Sequence, residues 1–203
     1  MPRNWLDRLE SRLGFLALPG LSAFLAGMNA AVGLLALFKP EFPAGLTLDP
    51  AALLAGEVWR TVSFLFIPPQ TAPLWLAFWV ILIYALMRAL ERAWGEFRFT
   101  FFFLVGAAAM SAAALLWGGT LSSGPLQLSV FLAFARLNPE MELMLFFVLP
   151  VKVRWLAALV WVWAGWTVLF GGAAARVGTL AGLANYALFF GTDHWTEWKR
   201  RRR

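Results

Sequence analysis

The stretch that decides the fold is Gly171–Gly182, "GGAAARVGTLAG", in which small side chains surround a single arginine. On a helix, Gly178, Ala181, Gly182 and Asn185 fall on one face. Such a row of small residues lets two helix backbones approach closely inside a membrane. The stretch therefore predicts a packing seam between membrane helices. It leaves open whether the same helix once carried a reactive group.

The composition is that of a polytopic membrane protein. Of the 203 residues, 61% are hydrophobic and only 14% are charged, a balance that a soluble domain of this size cannot bury. No cysteine is present, which excludes disulfides, thiolate metal sites and cysteine nucleophiles. The formal charge of +6 resides in basic residues beside apolar runs. It therefore indicates anionic membrane lipids as partners rather than nucleic acid.

Six apolar segments predict an all-α, six-span helical bundle. The predicted spans are Leu21–Phe38, Pro73–Met87, Phe99–Trp117, Gly124–Ala135, Trp155–Phe170 and Val177–Phe190. A span normally needs about 20 apolar residues to cross about 30 Å of hydrocarbon. The second, fourth and sixth segments hold only about 12 to 15 residues, or roughly 18–22 Å of helix. Either the pattern cuts their ends too short, or these spans thin the bilayer around the protein.

Basic residues near the span ends predict that both termini lie in the cytoplasm. Of the 17 Lys and Arg residues, all but Lys39, Arg60 and Arg176 fall on the side of the termini. The distribution favours a multi-pass protein of the plasma (inner) membrane.

The chain divides into three regions around these spans. Residues 1–16 predict an amphipathic helix lying on the membrane surface, because apolar residues recur there at helical spacing. Residues 17–191 form the six-span membrane domain. Its long first loop, residues 39–72, is amphipathic, has Asp49 placed to cap a short helix, and is expected to rest on or dip into the outer leaflet. Residues 192–203 form a basic cytoplasmic tail.

Five segments, taken in order, resemble the rhomboid-like superfamily of membrane proteins. They are "GEVWRTVSFLF" (Gly56–Phe66), "LERAWGEFRF" (Leu90–Phe99), "AFARLNP" (Ala133–Pro139), "VLPVKVRWLA" (Val148–Ala157), and "AGWTVLFGG" (Ala164–Gly172) followed by Gly178 and Gly182. Their order and spacing cover nearly the whole chain from the first loop onward. The resemblance implies a rhomboid-like fold in which the glycine pair packs the sixth span against its neighbour.

The resemblance also implies where a catalytic dyad would lie. Rhomboid proteases pair a serine that opens the fourth span with a histidine on the sixth. The serine is a weak nucleophile unless that base removes its proton. The glycine pair places the histidine position at Ala175, which has nothing to titrate. Counting back from "AFA" places the serine position at Gly124, whereas one inserted residue restores Ser123.

The oxyanion-stabilising pair of the resembled proteases is absent as well. Its two positions in the second span fall on Trp75 and Trp79, whose indoles cannot replace two polar groups aimed at an oxyanion. The single histidine, His194, lies roughly 28 Å of helix beyond Ala175 and is interpreted as a surface residue. The resemblance thus implies the inactive, pseudoprotease branch, similar in role to derlins, and no enzyme.

The first-loop motif contains Glu57, Trp59 and Arg60. A structural role is favoured, in which the guanidinium satisfies carbonyls of the irregular loop and the indole sits at headgroup level. Direct contact with a client protein is the alternative.

The candidate client-facing polar residues are Ser122, Gln127, Ser129 and Arg176. The alternative for the three uncharged residues is hydrogen bonding between helices. Arg176 is expected to snorkel towards headgroups or to face a wet cavity.

Together these features predict a non-catalytic rhomboid-like protein that binds transmembrane segments of client proteins in membrane-protein quality control. A membrane protease or ATPase would supply any motor. No metal, nucleotide or cofactor site is expected. Two alternatives are a residual intramembrane serine protease using Ser123 and a small-solute transporter. The transporter is disfavoured because paired intramembrane carboxylates are absent from the pattern.

Overall fold

The structure, a computed structural model, describes residues 5–69, 71–145 and 149–201. Residues 1–4 of the predicted surface helix and residues 202–203 of the predicted tail lie outside the described residues. The side chain of His194 also lies outside them.

The described chain is mostly helical. The helices are α1 (Trp5–Leu13), α2 (Leu21–Phe38), α3 (Pro50–Leu54), α4 (Arg60–Ser63), α5 (Pro73–Trp94), α6 (Glu96–Trp117), α7 (Gly124–Leu137), α8 (Val153–Phe170), α9 (Ala173–Gly182) and α10 (Ala184–Arg201). Short 3₁₀ turns cover Gly14–Leu16, Phe42–Leu46 and Phe64–Phe66. Four described helices, α2, α5, α6 and α8, are long and apolar enough to cross a membrane. The protein is therefore a helical integral membrane protein.

The second span is longer than the sequence pattern predicts. Helix α5 has 22 residues, roughly 33 Å, and continues to Trp94 instead of ending at Met87. The apolar pattern stops at charged residues, but Glu91 is buried and accepts hydrogen bonds from Ser22 Oγ (2.5 Å) and Arg88 Nη1 (2.8 Å). The two hydrogen bonds to Glu91 Oε2 stabilise the buried carboxylate, and the helix continues through it. Of the two alternatives for the second segment, the structure agrees with the one in which the apolar pattern cuts its end too short.

The helix at the sixth segment is also longer than predicted. Helices α9 and α10 follow each other across Leu183, and backbone hydrogen bonds from Leu183 N to Thr179 O and from Ala187 N to Leu183 O continue the helix there. The predicted segment, Val177–Phe190, lies wholly inside this run. The predicted shortness holds for α7, which has 14 residues and is largely buried against other helices. The second span thus no longer supports bilayer thinning. The helix continues beyond the sixth segment mainly through polar and charged residues, so the apolar length there is unchanged, and the six-span count stays a prediction.

A small β-hairpin separates α7 from α8, so the fold is mostly helical rather than all-α. Strand β1 (Glu142–Leu145) pairs antiparallel with β2 (Leu149–Lys152), and Glu142 lies opposite Lys152. Strand β2 leads directly into α8 at Val153. The sequence pattern indicates only a connection here. It is too short for the alternating pattern of a strand to stand out.

The helices pack around α7. This helix contacts α5, α8, α9 and α10, while α6 packs on α5, α9 and α10, and α2 packs on α5. A single residue, Gly95, joins α5 to α6 with a φ of +82°. This backbone conformation is accessible to glycine and strained for other residues, which explains why glycine stands at this position of "LERAWGEFRF".

The first loop is part of the protein core. Leu48 and Phe64 are almost completely buried, in a cluster that includes side chains of α6 and α7. Leu121 N donates to Leu48 O (3.2 Å), which ties the loop to the α6–α7 connection. The predicted cap of the short helix α3 is confirmed, because Asp49 Oδ1 accepts from Ala51 N (2.9 Å).

The N-terminal helix α1 is held against α6 by ion pairs. Arg98 donates from Nε to Glu10 Oε2 (3.3 Å) and from Nη2 to Asp7. The chain after α1 is pinned as well, because Leu18 N donates to Thr100 Oγ1 (3.1 Å). The helix therefore lies beside the corner where α5 turns into α6.

Candidate functional site

A large cleft lies between α5, α7, α8 and α9. Its volume is about 970 Å³. Helices α5 and α8 each pack on α7 but make little contact with each other, which leaves the space between them open. Helix α8 contributes mostly exposed side chains, and only Val153 and Ala164 of this helix are buried. The cleft is thus a lateral opening in the membrane domain.

The walls of the cleft change character along its length. On the side of the first loop they include the polar side chains of Thr47, Thr120, Ser122, Gln127 and Thr179. The remaining walls are largely apolar, with leucines from α5 and α8 facing the same space. Among the described residues that line the cleft, none carries a side chain that titrates near neutral pH. The arrangement can exchange hydrogen bonds at one end and bury apolar surface along the rest.

Two of the positions that the resemblance assigns to a dyad lie in this cleft. Gly124 and Ala175 both line it. A side chain at Gly124 would have room, since the nearest atom to a Cβ there is Ser122 Oγ at 3.7 Å. Ala175 is exposed to the cleft space. The residues that occupy these positions offer neither a nucleophile nor a base.

Ser123 is used structurally. It is only 7% exposed, and its Oγ donates to Ile67 O (3.2 Å) and accepts from Gln127 Nε2 (3.3 Å). Gln127 Nε2 also approaches Ile67 O at 3.5 Å. Ser123 is not among the described residues that line the cleft, whereas its neighbours Ser122 and Gly124 are. Its hydroxyl ties the start of α7 to the end of the first loop.

The two tryptophans predicted at the oxyanion positions lie in different surroundings. Trp75 is 52% exposed and packs edge-to-face on Phe78, with ring centroids 6.4 Å apart. Trp79 lines the cleft, and its Nε1 is buried without a hydrogen-bond partner in the part of the chain that the structure describes. The cleft wall therefore holds one indole donor at most from this pair.

The glycine pair lies against the start of α7. A Cβ at Gly182 would lie 2.7 Å from the carbonyl carbon of Pro125 and 2.8 Å from Leu126 N, which are backbone atoms. A Cβ at Gly178 would meet only side chains, Leu121 Cδ2 at 3.6 Å and Pro125 Cγ at 3.8 Å. Close approach of the two helices thus requires glycine at position 182 and merely permits it at 178.

Ser122 and Gln127 are the two candidate polar residues that the structure brings into the cleft. Ser129 is completely buried and donates to Leu126 O (2.7 Å) in its own helix. Arg176 donates from Nε to Gly171 O (2.8 Å) and from Nη2 to Leu169 O (2.9 Å).

Those carbonyls lie at the end of α8, where helical carbonyls lack partners and basic side chains often bind them. Arg176 therefore caps α8.

In the first-loop motif, Arg60 makes the contacts expected of a structural role. Arg60 Nε binds Glu57 Oε2 (2.7 Å), and Nη1 donates to Ala44 O (3.0 Å) and Thr47 O (3.1 Å). Trp59 is 55% exposed. The motif holds the loop, of which Thr47 reaches the cleft.

Several parts of the site were not apparent from the sequence. Thr120 and Trp163 line the cleft but belong to no motif. The burial of Glu91 was missed too, because its partner Ser22 is 69 positions away in the chain. A polar residue early in the first span was the available signal.

One ionisable group outside the spanning helices has a shifted pKa. The Glu140 carboxylate accepts from Lys152 Nζ (2.9 Å) and Arg154 Nη1 (2.6 Å). The hydrogen bond from Lys152, together with the charges of both cations, holds the pKa of Glu140 below its usual value. The three side chains link the end of α7 to the hairpin and α8.

A family model described as "Eukaryotic integral membrane protein (DUF1751)" matches residues 21–191. The match begins at the first residue of α2 and ends within α10. No curated protein matches the chain.

Proposed function

The chain belongs to the DUF1751 family of integral membrane proteins, and from that premise we propose that it is a non-catalytic, rhomboid-like pseudoprotease. Its function is to bind transmembrane segments of client membrane proteins in the cleft between α5 and α8. The observation that carries the proposal is this lateral opening, which is lined by Gly124 and Ala175, two positions that the resemblance assigns to a dyad, and by no side chain that titrates near neutral pH among its described lining residues.

The size of the cleft supports a helix as its occupant. A helix is about 10 Å across with its side chains and rises 1.5 Å per residue, so two turns fill roughly 800 Å³. The cleft volume is about 970 Å³. The volume of the cleft is therefore close to that of two turns of a client helix.

The wall chemistry supports a segment that is apolar with a polar end. Leu82, Leu86 and Leu156 provide apolar surface that suits a transmembrane helix. Ser122 and Gln127 provide hydrogen bonds at the side of the first loop. Inside a membrane such groups satisfy polar atoms of a neighbouring helix, and each contact contributes about 0.6–2 kcal/mol.

The wider setting is part of the same proposal. The protein has six spans in the plasma membrane, with both termini in the cytoplasm, and acts in membrane-protein quality control beside a membrane protease or ATPase. The excess of Lys and Arg on the side of the termini supports this orientation. The natural absence of cysteine makes single-cysteine labelling from either side of the membrane a direct test of it.

Site-specific photocrosslinking tests client binding. A photoreactive residue at Leu159, which lines the cleft and is 66% exposed, is compared with one at Val162, which is 71% exposed and lies outside the lining. Both are reconstituted with a labelled single-span helix. We expect several-fold more crosslinking from position 159 and a decrease on Ala175→Phe, which places a ring in the cleft. Equal crosslinking from the two positions would overturn the proposal.

The alternative, a residual serine protease, is tested separately. A fluorophosphonate probe and a rhomboid substrate are each incubated with the reconstituted protein and with Ser123→Ala. We expect no labelling or cleavage, because Ser123 Oγ is committed to Ile67 O and Gln127. Cleavage that Ser123→Ala abolishes would show an active enzyme.

A further inference from the structure

We infer that a second site, separate from the cleft, binds one acyl chain of an anionic phospholipid whose headgroup is held by Arg8 and Arg12 of α1. The site is a groove of about 390 Å³ between the first halves of α2 and α6. The 3₁₀ turn at Phe64–Phe66 lies at one end of it.

The groove is too small for a helix and is suited to a hydrocarbon chain. From Thr100 to Ala107 it follows α6 for roughly 10 Å. A helix occupying that length would need roughly 800 Å³, about twice the volume available. All its described lining residues except Thr100 are apolar, among them Phe24, Leu65 and Phe103. An acyl chain of the surrounding bilayer matches both the width and the chemistry.

The end of the groove near Thr100 lies directly beside α1. Leu18 and Thr100 both line the groove, and Leu18 N donates to Thr100 Oγ1 (3.1 Å). Arg98, two residues before Thr100, holds α1 through Asp7 and Glu10. A chain lying in the groove would thus place its headgroup at the level of α1.

Helix α1 presents an unbalanced positive surface at that level. Its acidic residues, Asp7 and Glu10, are ion-paired with Arg98. Arg8 and Arg12 are exposed, and neither has a carboxylate partner among the described residues. They stand four residues apart on one helix face, where like charges repel each other. A phosphate between them would relieve this repulsion, which commits the site to an anionic lipid over a zwitterionic one.

Native mass spectrometry of the purified full chain tests the site. The protein in detergent is titrated with dioleoyl phosphatidylglycerol and with dioleoyl phosphatidylcholine, which differ only in the headgroup. We expect one retained lipid and a preference of about tenfold for phosphatidylglycerol, in line with the attraction of surface arginines for anionic lipid. Glycerol 3-phosphate, which carries the anion without the chains, is expected not to compete.

Two variants separate the two halves of the site. The double variant Arg8→Gln with Arg12→Gln should abolish the preference for phosphatidylglycerol, while the protein still binds one lipid. Arg92→Gln, which changes an exposed arginine of α5, is the control and should leave that preference unchanged. Leu104→Trp, at the groove wall, should reduce retention of both lipids several-fold. Leu115→Trp serves as its control, because Leu115 lies outside the groove on the same helix with similar exposure, 47% against 44%.

Three results would overturn the inference. They are a preference that survives the double arginine variant, equal retention by the two tryptophan variants, and competition by glycerol 3-phosphate. The last result would identify an anion site without an acyl chain. Each variant is first compared with the parent in thermal midpoint, so that loss of binding is read only from folded protein. The outcome is independent of client binding in the cleft.

Discussion

Helix α7 has two unlike sides. On one side it meets α9 so closely that Gly182 approaches the backbone of Pro125 and Leu126. On the other side it borders a cleft of about 970 Å³, because α5 and α8 stand apart. Packing at native density leaves few voids in a protein interior. The difference indicates that stability is concentrated on the closed side, while the open side is available for binding.

The largest effect is expected from Gly182→Ala on the closed side. The added methyl meets backbone atoms at 2.7 and 2.8 Å, which cannot move aside as a flexible side chain can. Overpacking of this kind costs about 1–3 kcal/mol, and Gly182→Leu should cost more. Thermal unfolding in one detergent measures the difference.

Gly178→Ala is the matched control for that variant. Its methyl would meet only side chains at 3.6 and 3.8 Å, an ordinary contact distance. We expect its midpoint within a degree or two of the parent. If Gly182→Ala and Gly178→Ala have the same thermal midpoint, the close packing of α9 on α7 does not determine the stability.

The next effect is expected from Asn185→Ala, also on the closed side. Asn185 is fully buried, and its Nδ2 donates to Phe102 O (3.3 Å), which links α10 to α6. Loss of a buried hydrogen bond and its packing should cost about 1–2 kcal/mol. The control is Asn138→Ala, whose amide donates only to Phe134 O of its own helix (3.4 Å). An equal loss in both variants would contradict a bridging role.

A smaller effect on stability is expected on the open side. Ala175→Phe adds a ring where Ala175 is exposed to the cleft. Surface changes of this kind usually alter stability by less than about 0.5 kcal/mol. Client crosslinking from position 159 should nevertheless fall. A strong loss of stability would mean that the cleft closes in solution and that its two sides resemble each other.

The smallest effect is expected from Glu140, which lies outside both sides of α7. Because its pKa is held below the usual value, the stabilisation is present above about pH 4.5 and is lost as the pH falls through the folded-state pKa. Glu140→Gln should remove this part of the acid dependence. Thermal scans of the parent and the variant from pH 7 to pH 3 measure this dependence of the midpoint on pH. An unchanged acid profile would show that the Lys152 and Arg154 contacts contribute nothing.

Local patterns predicted some of these features and missed others for physical reasons. The row of small residues indicated close packing of the helix that carries the glycine pair. At Gly182 that packing is against the backbone of Pro125 and Leu126 in α7. The cap at Asp49 is local to its helix. Both features depend on side-chain size and spacing, which a sequence displays directly.

The end of α5 depended on a distant partner. Charged residues at Arg88 and Glu91 interrupt the apolar pattern, and the buried carboxylate is stabilised by Arg88 of its own helix together with the Ser22 hydroxyl of another helix. The cleft could not be predicted either, since an empty volume results from how α5 and α8 diverge around α7. No single segment encodes that divergence.

The single-residue turn at Gly95 has a consequence for biosynthesis. Helices α5 and α6 hold 22 residues each, and one residue joins them. With no soluble connection between them, the two helices should leave the translocon as one antiparallel hairpin. With the termini in the cytoplasm, as proposed above, Arg92 and Arg98 beside the turn would then not have to cross the bilayer. An inserted linker at Gly95 would uncouple the two insertion events, and glycosylation acceptor sites placed within it would report which side the turn occupies.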